Sequence, residues 1–312
     1  MVSLLAPFPW FGGKRKVAPE VWARLGDVVN FVEPFFGSGA VMLNRPRGFT
    51  GNETVNDLDG FVANFWRSIK LRSEETAEHA DQPVNENDLH ARHVWLVQRI
   101  ESLRAQLEGD PDWCDPQIAG YWVWGVSCWI AGGFCSGKGP WWVNEERQLV
   151  HLGNNGRGVN RKLVHLGTSR TQDLVGWFRS LAGRLARVRV CSGDWSRVCG
   201  PSVTFKHGLT GVFLDPPYAD TANRCVDLYR KDSESVAHDV REWAIENGNN
   251  PLMRIALCGF EGEHEMPKSW MVYQWNAGAG FGGKAKERSE GGKRERIWFS
   301  PHCLSAKQGS LF

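Results

Sequence analysis

The chain has 312 residues, with 37 Lys+Arg against 35 Asp+Glu and 42% hydrophobic side chains. That length suits one large α/β domain or two modest ones, and the balance excludes a disordered or collagen-like chain. A net charge of +2 excludes a strongly basic coat protein but leaves room for a local nucleic-acid-binding patch, and sixteen Trp suit a core or base stacking equally.

Residues 1–9 are apolar, yet Pro7, Pro9 and the missing basic start argue against a signal peptide. Residues 28–33 read as a buried parallel strand that leads through a glycine turn into a short helix at 40–43. A second strand at 54–56 ends at Asp57, and Phe61, Phe65 and Ile69 then repeat along one helix face. Strand, glycine turn, helix, strand and acid open a doubly wound α/β sheet. Residues 88–107 predict one helix with Leu96, Ile100, Leu103 and Leu107 on a stripe. Residues 116–160, rich in Gly, Trp, Ser and Asn, predict an irregular insertion. Its uncharged part, 116–137, approaches membrane-spanning length, but Gln117, Ser127 and five glycines argue against a span. Thr171 is the expected cap of a helix with Leu174, Phe178, Leu181, Leu185 and Val188 on its apolar face. Strands follow at 188–191 and 211–214, a helix at 233–247, and strands at 252–258, 270–275 and 297–300.

Charge is uneven along the chain. Residues 60–137 hold 6 basic and 11 acidic side chains, residues 138–197 hold 11 and 4, and residues 284–296 hold 6 and 3. One such run suits a solvated face; two Gly-rich basic runs favour a surface that meets phosphate. The eight cysteines contain no CxxC pair, which fits a reducing cytoplasm.

Two motifs carry chemistry. Glu33-Pro34-Phe35-Phe36-Gly37-Ser38-Gly39 leaves a strand and opens a helix. Gly37 and Gly39 allow close backbone approach to a ligand, although such a turn also occurs without one. Asp57, eighteen residues beyond Gly39, stands where a nucleotide-binding sheet bonds ribose hydroxyls. Capping the next helix is the plainer role, for Asp57 or for Asp59. Asp215-Pro216-Pro217-Tyr218 follows a hydrophobic strand. Its prolines fix two φ angles and donate nothing, so a carboxylate, an outward carbonyl and an aromatic ring together suit a planar base with an exocyclic NH2. A rigid turn with a packing Tyr is the alternative.

These motifs stand in the order found in the Dam-type (alpha-group) DNA N6-adenine methyltransferases, and the chain resembles that family. The resemblance rests on Pro9-Trp10-Phe11-Gly12-Gly13-Lys14, on 31–40, on Val55-Asn56-Asp57-Leu58-Asp59, on 214–218 with the following loop and helix, and on 294–299. It implies an α/β, Rossmann-like sheet formed by residues 1–74 and 188–312, which binds S-adenosyl-L-methionine (AdoMet), with 75–187 inserted for target recognition and DNA binding. It also implies a cytoplasmic enzyme that acts on double-stranded DNA, flips an adenine out of the duplex, and uses no metal and no membrane. Residue by residue, Trp10 and Lys14 would border the cofactor pocket. Glu33, Phe35, Gly37 and Gly39 would form its methionine side, and Asp57 would take the ribose. Asp194 would accept from the cofactor's adenine with Trp195 beside it, or cap a turn. Asp215 and Pro216 would accept the two N6–H bonds, Pro217 would stiffen the turn, and Tyr218 would stack on the base. Residues 75–187 match no family segment, so the recognised sequence is not implied.

Related tetrapeptides serve any exocyclic amine, so cytosine N4 or an RNA amino group remains an alternative acceptor. A catalytically silent nucleic-acid-binding module would retain the fold, and a cofactor with a bulkier sulfonium substituent would suit the same motifs. His151, His165, His207 and His238 show no metal spacing, Cys128 and Cys135 read as small buried residues, and 132–139 lacks the P-loop pattern. That last segment, beside Trp141 and Trp142, is the expected DNA-contacting loop.

Overall fold

The computed structural model describes residues 4–10, 13–46, 48, 51–110, 112–129, 134–135, 141–144, 146–151, 159, 173–217, 230–275 and 294–305. In chain order the elements are α1 (Ala18–Leu25), β1 (Asn30–Glu33), α2 (Ala40–Leu43), β2 (Asn52–Asp57), α3 (Gly60–Ala80), α4 (Glu86–Val97), α5 (Ile100–Gly109) and α6 (Pro116–Cys128). There follow β3 (Trp141–Val143), β4 (Leu149–His151), α7 (Leu174–Leu185), β5 (Val188–Ser192), β6 (Thr210–Leu214), α8 (Arg230–Asn247), β7 (Met253–Phe260), β8 (Met271–Gln274) and β9 (Glu295–Phe299). Two compact units result: a helical unit (Met1–Phe11, Asp57–Gly193, Phe281–Gly283) and a sheet unit (Gly12–Asn56, Asp194–Gly280, Lys284–Phe312). These compact units change over at 56/57 and 193/194, whereas the sequence suggests a functional division at 74/75 and 187/188.

Six strands of the sheet unit run in the order β2-β1-β6-β7-β9-β8. The first four are mutually parallel, and β9 runs antiparallel to both β7 and β8. Every residue of β1, β6 and β9 is buried, as expected of strands covered on both faces. Helix α1 presents Ala18, Val21, Trp22 and Leu25 inward, the spacing of one helix face. The Trp22 indole donates to the Val41 carbonyl at 2.8 Å and so ties α1 to α2.

In the helical unit α3 packs on α6. Gly120 permits this: a Cβ there would collide with the His79 Cβ and come within 2.8 Å of the Thr76 carbonyl. Buried Asn64 exchanges two hydrogen bonds with the Asp115 backbone, at 2.9 and 2.8 Å, and so aligns the start of α6 with α3. Phe8, Phe61, Phe65, Trp66, Trp122 and Phe178 form an aromatic core.

Four expectations need correcting. Residues 116–128 form a helix, not an irregular segment: Asp115 caps it by accepting from Ile118 N, and Pro116 sits in its first turn. Its apolar residues surround it on all sides, so the sequence shows no period. The single helix expected over 88–107 is two helices. Arg99 N donates to Leu96 O, while the Arg99 guanidinium stacks on Trp95 and donates to the Trp95 carbonyl, the acceptor a continuous helix would have used. Trp122, Trp124 and Trp129 are 2%, 0% and 4% exposed, so these three build the core and do not stack on bases. Asp173, not Thr171, occupies the cap position of α7; Thr171, the segments 130–133 and 136–140, and the side chains of Trp141 and Trp142 lie outside the described residues. No helix among the described residues is long and apolar enough to cross a membrane.

Candidate active site

Strands β1 and β6 pair in parallel through Asn30↔Thr210, Phe31↔Gly211 and Val32↔Val212. The chain leaves β1 for β2 on the opposite side, so the carboxyl ends of β1 and β6 flank a topological switch point, the usual ligand crevice of open α/β sheets.

From β1 comes the glycine turn. Gly37 (φ 47°) and Gly39 (φ 69°) adopt left-handed backbone that a side chain would strain, and Gly39 opens α2. The turn is fastened to β2: Phe36 N donates to Asn56 O at 2.9 Å, and the Asn56 amide donates to Pro34 O at 3.1 Å. Buried Glu33 accepts from Met42 N at 3.2 Å through Oε2, placing a carboxylate at the positive end of α2. Phe35 remains half-buried, and its ring lies 6.4 Å from that of Trp195 with an interplanar angle of 27°. Asp194 is exposed and caps the short turn Trp195–Val198: its Oδ1 accepts from both Ser196 N and Ser196 Oγ. The capping role considered for Asp194 is therefore present.

From β6 comes Asp215, followed by buried Pro216 and exposed Pro217. Lys14, in the single turn Lys14–Lys16 that precedes α1, reaches the Asp215 carboxylate at 3.0 Å and Glu295 of β9 at 3.5 Å. Side-chain exposure is 4% for Lys14, 5% for Glu295 and 20% for Asp215, so one carboxylate is enclosed and the other faces outward. Burial opposes the Lys14 charge, but Asp215 and then Glu295 outweigh it and hold the ammonium pKa above its ordinary value. The Trp275 ring adds a face 5.8 Å from Lys14 Nζ. Cys258 of β7 lies in the same corner: burial, and then the Asp215 carboxylate, push its thiol well up, with Glu295 and Glu33 adding to the effect.

The sheet unit thus brings Lys14, Glu33, Phe35, Gly37, Gly39, Asp194, Trp195, Asp215, Pro216 and Pro217 to one strand edge. Tyr218 lies outside the described residues. Trp10 and Asp57 belong to the helical unit. Trp10 is 40% exposed and meets the Phe8 ring edge-on at 5.6 Å. Asp57 accepts from Asp59 N at 2.9 Å, and Asp59, not Asp57, caps α3 by accepting from Phe61 N. Sequence reasoning missed Glu295, Cys258 and Trp275 as site residues. The one available signal was a carboxylate at the head of a strand that ends in three apolar residues, Ile297 to Phe299. Among the described residues no group of three or more His, Cys, Asp or Glu could hold a metal ion.

Residues 10–108 match the model of the D12 class N6 adenine-specific DNA methyltransferases. The match takes in Lys14, the glycine turn and Asp57, runs on through residues 75–108, which sequence reasoning had left without a family counterpart, and ends before β6 and Asp215. No curated protein matches the chain.

Proposed function

Because residues 10–108 match the model of the D12 class N6 adenine-specific DNA methyltransferases, we propose that the chain takes the methyl group from AdoMet and places it on N6 of an adenine flipped out of duplex DNA. The observation that carries this reading is the Lys14–Asp215 pair beside the Pro216-Pro217 turn, at the switch point of the sheet.

The residues at that edge suit the cofactor. Phe35 and Trp195 offer two half-buried, near-parallel rings to a purine, and the positive-φ turn at Gly37 and Gly39 keeps Cβ atoms away from a ligand's path. Asp194 Oδ2, which accepts from none of the described residues, suits an adenine amino group. Bound AdoMet supplies a methyl group already activated by its sulfonium.

The chain's own residues do the rest. Adenine N6 is a poor nucleophile because its lone pair is delocalised into the ring. Asp215 and the Pro216 carbonyl, accepting its two N–H bonds, favour a more tetrahedral nitrogen with a localised lone pair. The Lys14 ammonium orients the Asp215 carboxylate and gives up no proton, because its pKa is raised. Holding the nitrogen in line supplies much of the rate, since positioning offsets roughly 7–11 kcal/mol of such barriers. A base inside a duplex cannot reach the end of a strand, so flipping at a cost of a few kcal/mol belongs to the reading. Residues 75–187 are assigned to target recognition, and exposed Arg187 and Arg189 suit phosphate contacts. A DNA substrate fits the cytoplasm.

Incubation with methyl-tritiated AdoMet and mixed-sequence DNA, followed by nucleoside analysis, tests the reading. Label on N6-methyladenine supports it. Label on cytosine N4 or in RNA assigns the alternative acceptor, and no label, with calorimetry showing no AdoMet binding, leaves a silent binding module.

A further inference from the structure

We propose that Glu295 is a positioning residue of the transfer site, anchoring the Lys14 ammonium from the enclosed side so that Lys14 stays fixed while it holds Asp215 toward the acceptor base. This inference rests on the functional reading above and extends it to Glu295, which lies in the resembling segment 294–299 but has no role from the resemblance. Lys14 Nζ stands between two carboxylates, 3.0 Å from Asp215 Oδ2 and 3.5 Å from Glu295 Oε2. The two differ in access, Asp215 at 20% and Glu295 at 5% exposure.

When a base N–H draws on the Asp215 carboxylate, a buried ammonium paired with that group alone would lose part of its compensation, which is costly away from water. A second, enclosed carboxylate keeps the cation compensated whether or not a base is present. Glu295 can do this because its backbone is held: it pairs with Phe260 in β7, and its carbonyl accepts from Arg296 Nη1 at 3.0 Å and from Trp275 N at 3.4 Å. Lys14, by contrast, comes from a single turn with little framework of its own.

A double-mutant cycle over Lys14→Met and Glu295→Gln tests the anchor. Glu295→Gln should lower kcat by about tenfold with little change in the KM for AdoMet, and should move the alkaline limb of the kcat profile to lower pH. Glu295→Asp, which keeps the charge, should recover most of the loss. The double variant should be no slower than Lys14→Met alone. Parent-like turnover in Glu295→Gln, or losses that simply multiply in the double variant, would overturn the proposal. If Glu295→Gln does not fold, nitrogen-15 relaxation of the Lys14 ammonium in the parent and in Asp215→Asn decides: an ammonium that stays rigid when Glu295 alone holds it supports the anchor, and one that becomes mobile rejects it. A parent that methylates no DNA defeats the functional reading, and the same relaxation measurement then judges the anchor by itself.

Discussion

Lys14 and Asp215 meet where a buried cation must be compensated and, on the proposed function, an acceptor is aimed, so removing either changes electrostatics before it changes shape. Asp215→Asn keeps the volume and one acceptor oxygen but loses the charge that Lys14 grips. Its turnover should fall by about 10²–10³, while calorimetric AdoMet binding changes by no more than about twofold. Turnover within a factor of about three of the parent would remove Asp215 from the chemistry. A second residue-scale expectation concerns acid. His93 is buried in the helical unit, against the rings of Trp129 and Phe134, and neither ring nitrogen has a partner among the described residues. Burial, and then neighbouring His90, lower its pKa to about 4, against 6.5 for the ordinary group. The unfolded chain therefore binds the proton first. The stability tied to the neutral ring is complete above pH 6.5 and shrinks by about 3 kcal/mol as pH falls toward 4. Burial lowers His264 in the sheet unit to about 4 as well, so it adds to the same slope. Denaturant melts of the parent and His93→Leu across that window check this; equal slopes would show that His93 contributes nothing.

At the scale of elements, packing of α3 on α6 depends on one missing side chain. Gly120→Val should destabilise the chain by about 1–3 kcal/mol, read as a lower denaturant midpoint, because the Thr76–His79 backbone opposite cannot recede without disrupting α3. An unchanged midpoint would mean that the helices separate freely. The same pair of helices shows what the sequence could reveal. Strands β1 and β6 were legible because each is an apolar run cut off by a glycine or proline turn, and α3 because its aromatics repeat on one face. Helix α6 was hidden because burial on all sides erases the period. The break between α4 and α5 was hidden because Arg99, a good helix former, makes it with its own guanidinium. In the site, the motif residues announced themselves by spacing, whereas Glu295 meets Lys14 only through the order of the sheet, which no local pattern carries.

Across the molecule, four of the seven described cysteines, Cys128, Cys199, Cys258 and Cys303, are buried. No disulfide joins any described cysteines, and burial raises Cys128 to about 12 and Cys303 to about 11, with Cys199 and Cys258 pushed up further. In the native protein these four should therefore label slowly with a maleimide, and the protein should melt at the same temperature with or without reductant. A reductant-dependent midpoint would contradict the structure. A separate consequence follows from where the corner around Lys14 draws its members: the turn before α1, the end of β6 and the final strand of the sheet. During synthesis the lysine emerges well before its inner partner, so the charge that ends up buried stays in water until β9 has followed. Assembly of that corner thus waits for β9, and a nascent chain stalled before it has the glycine turn but no enclosed anchor for Lys14.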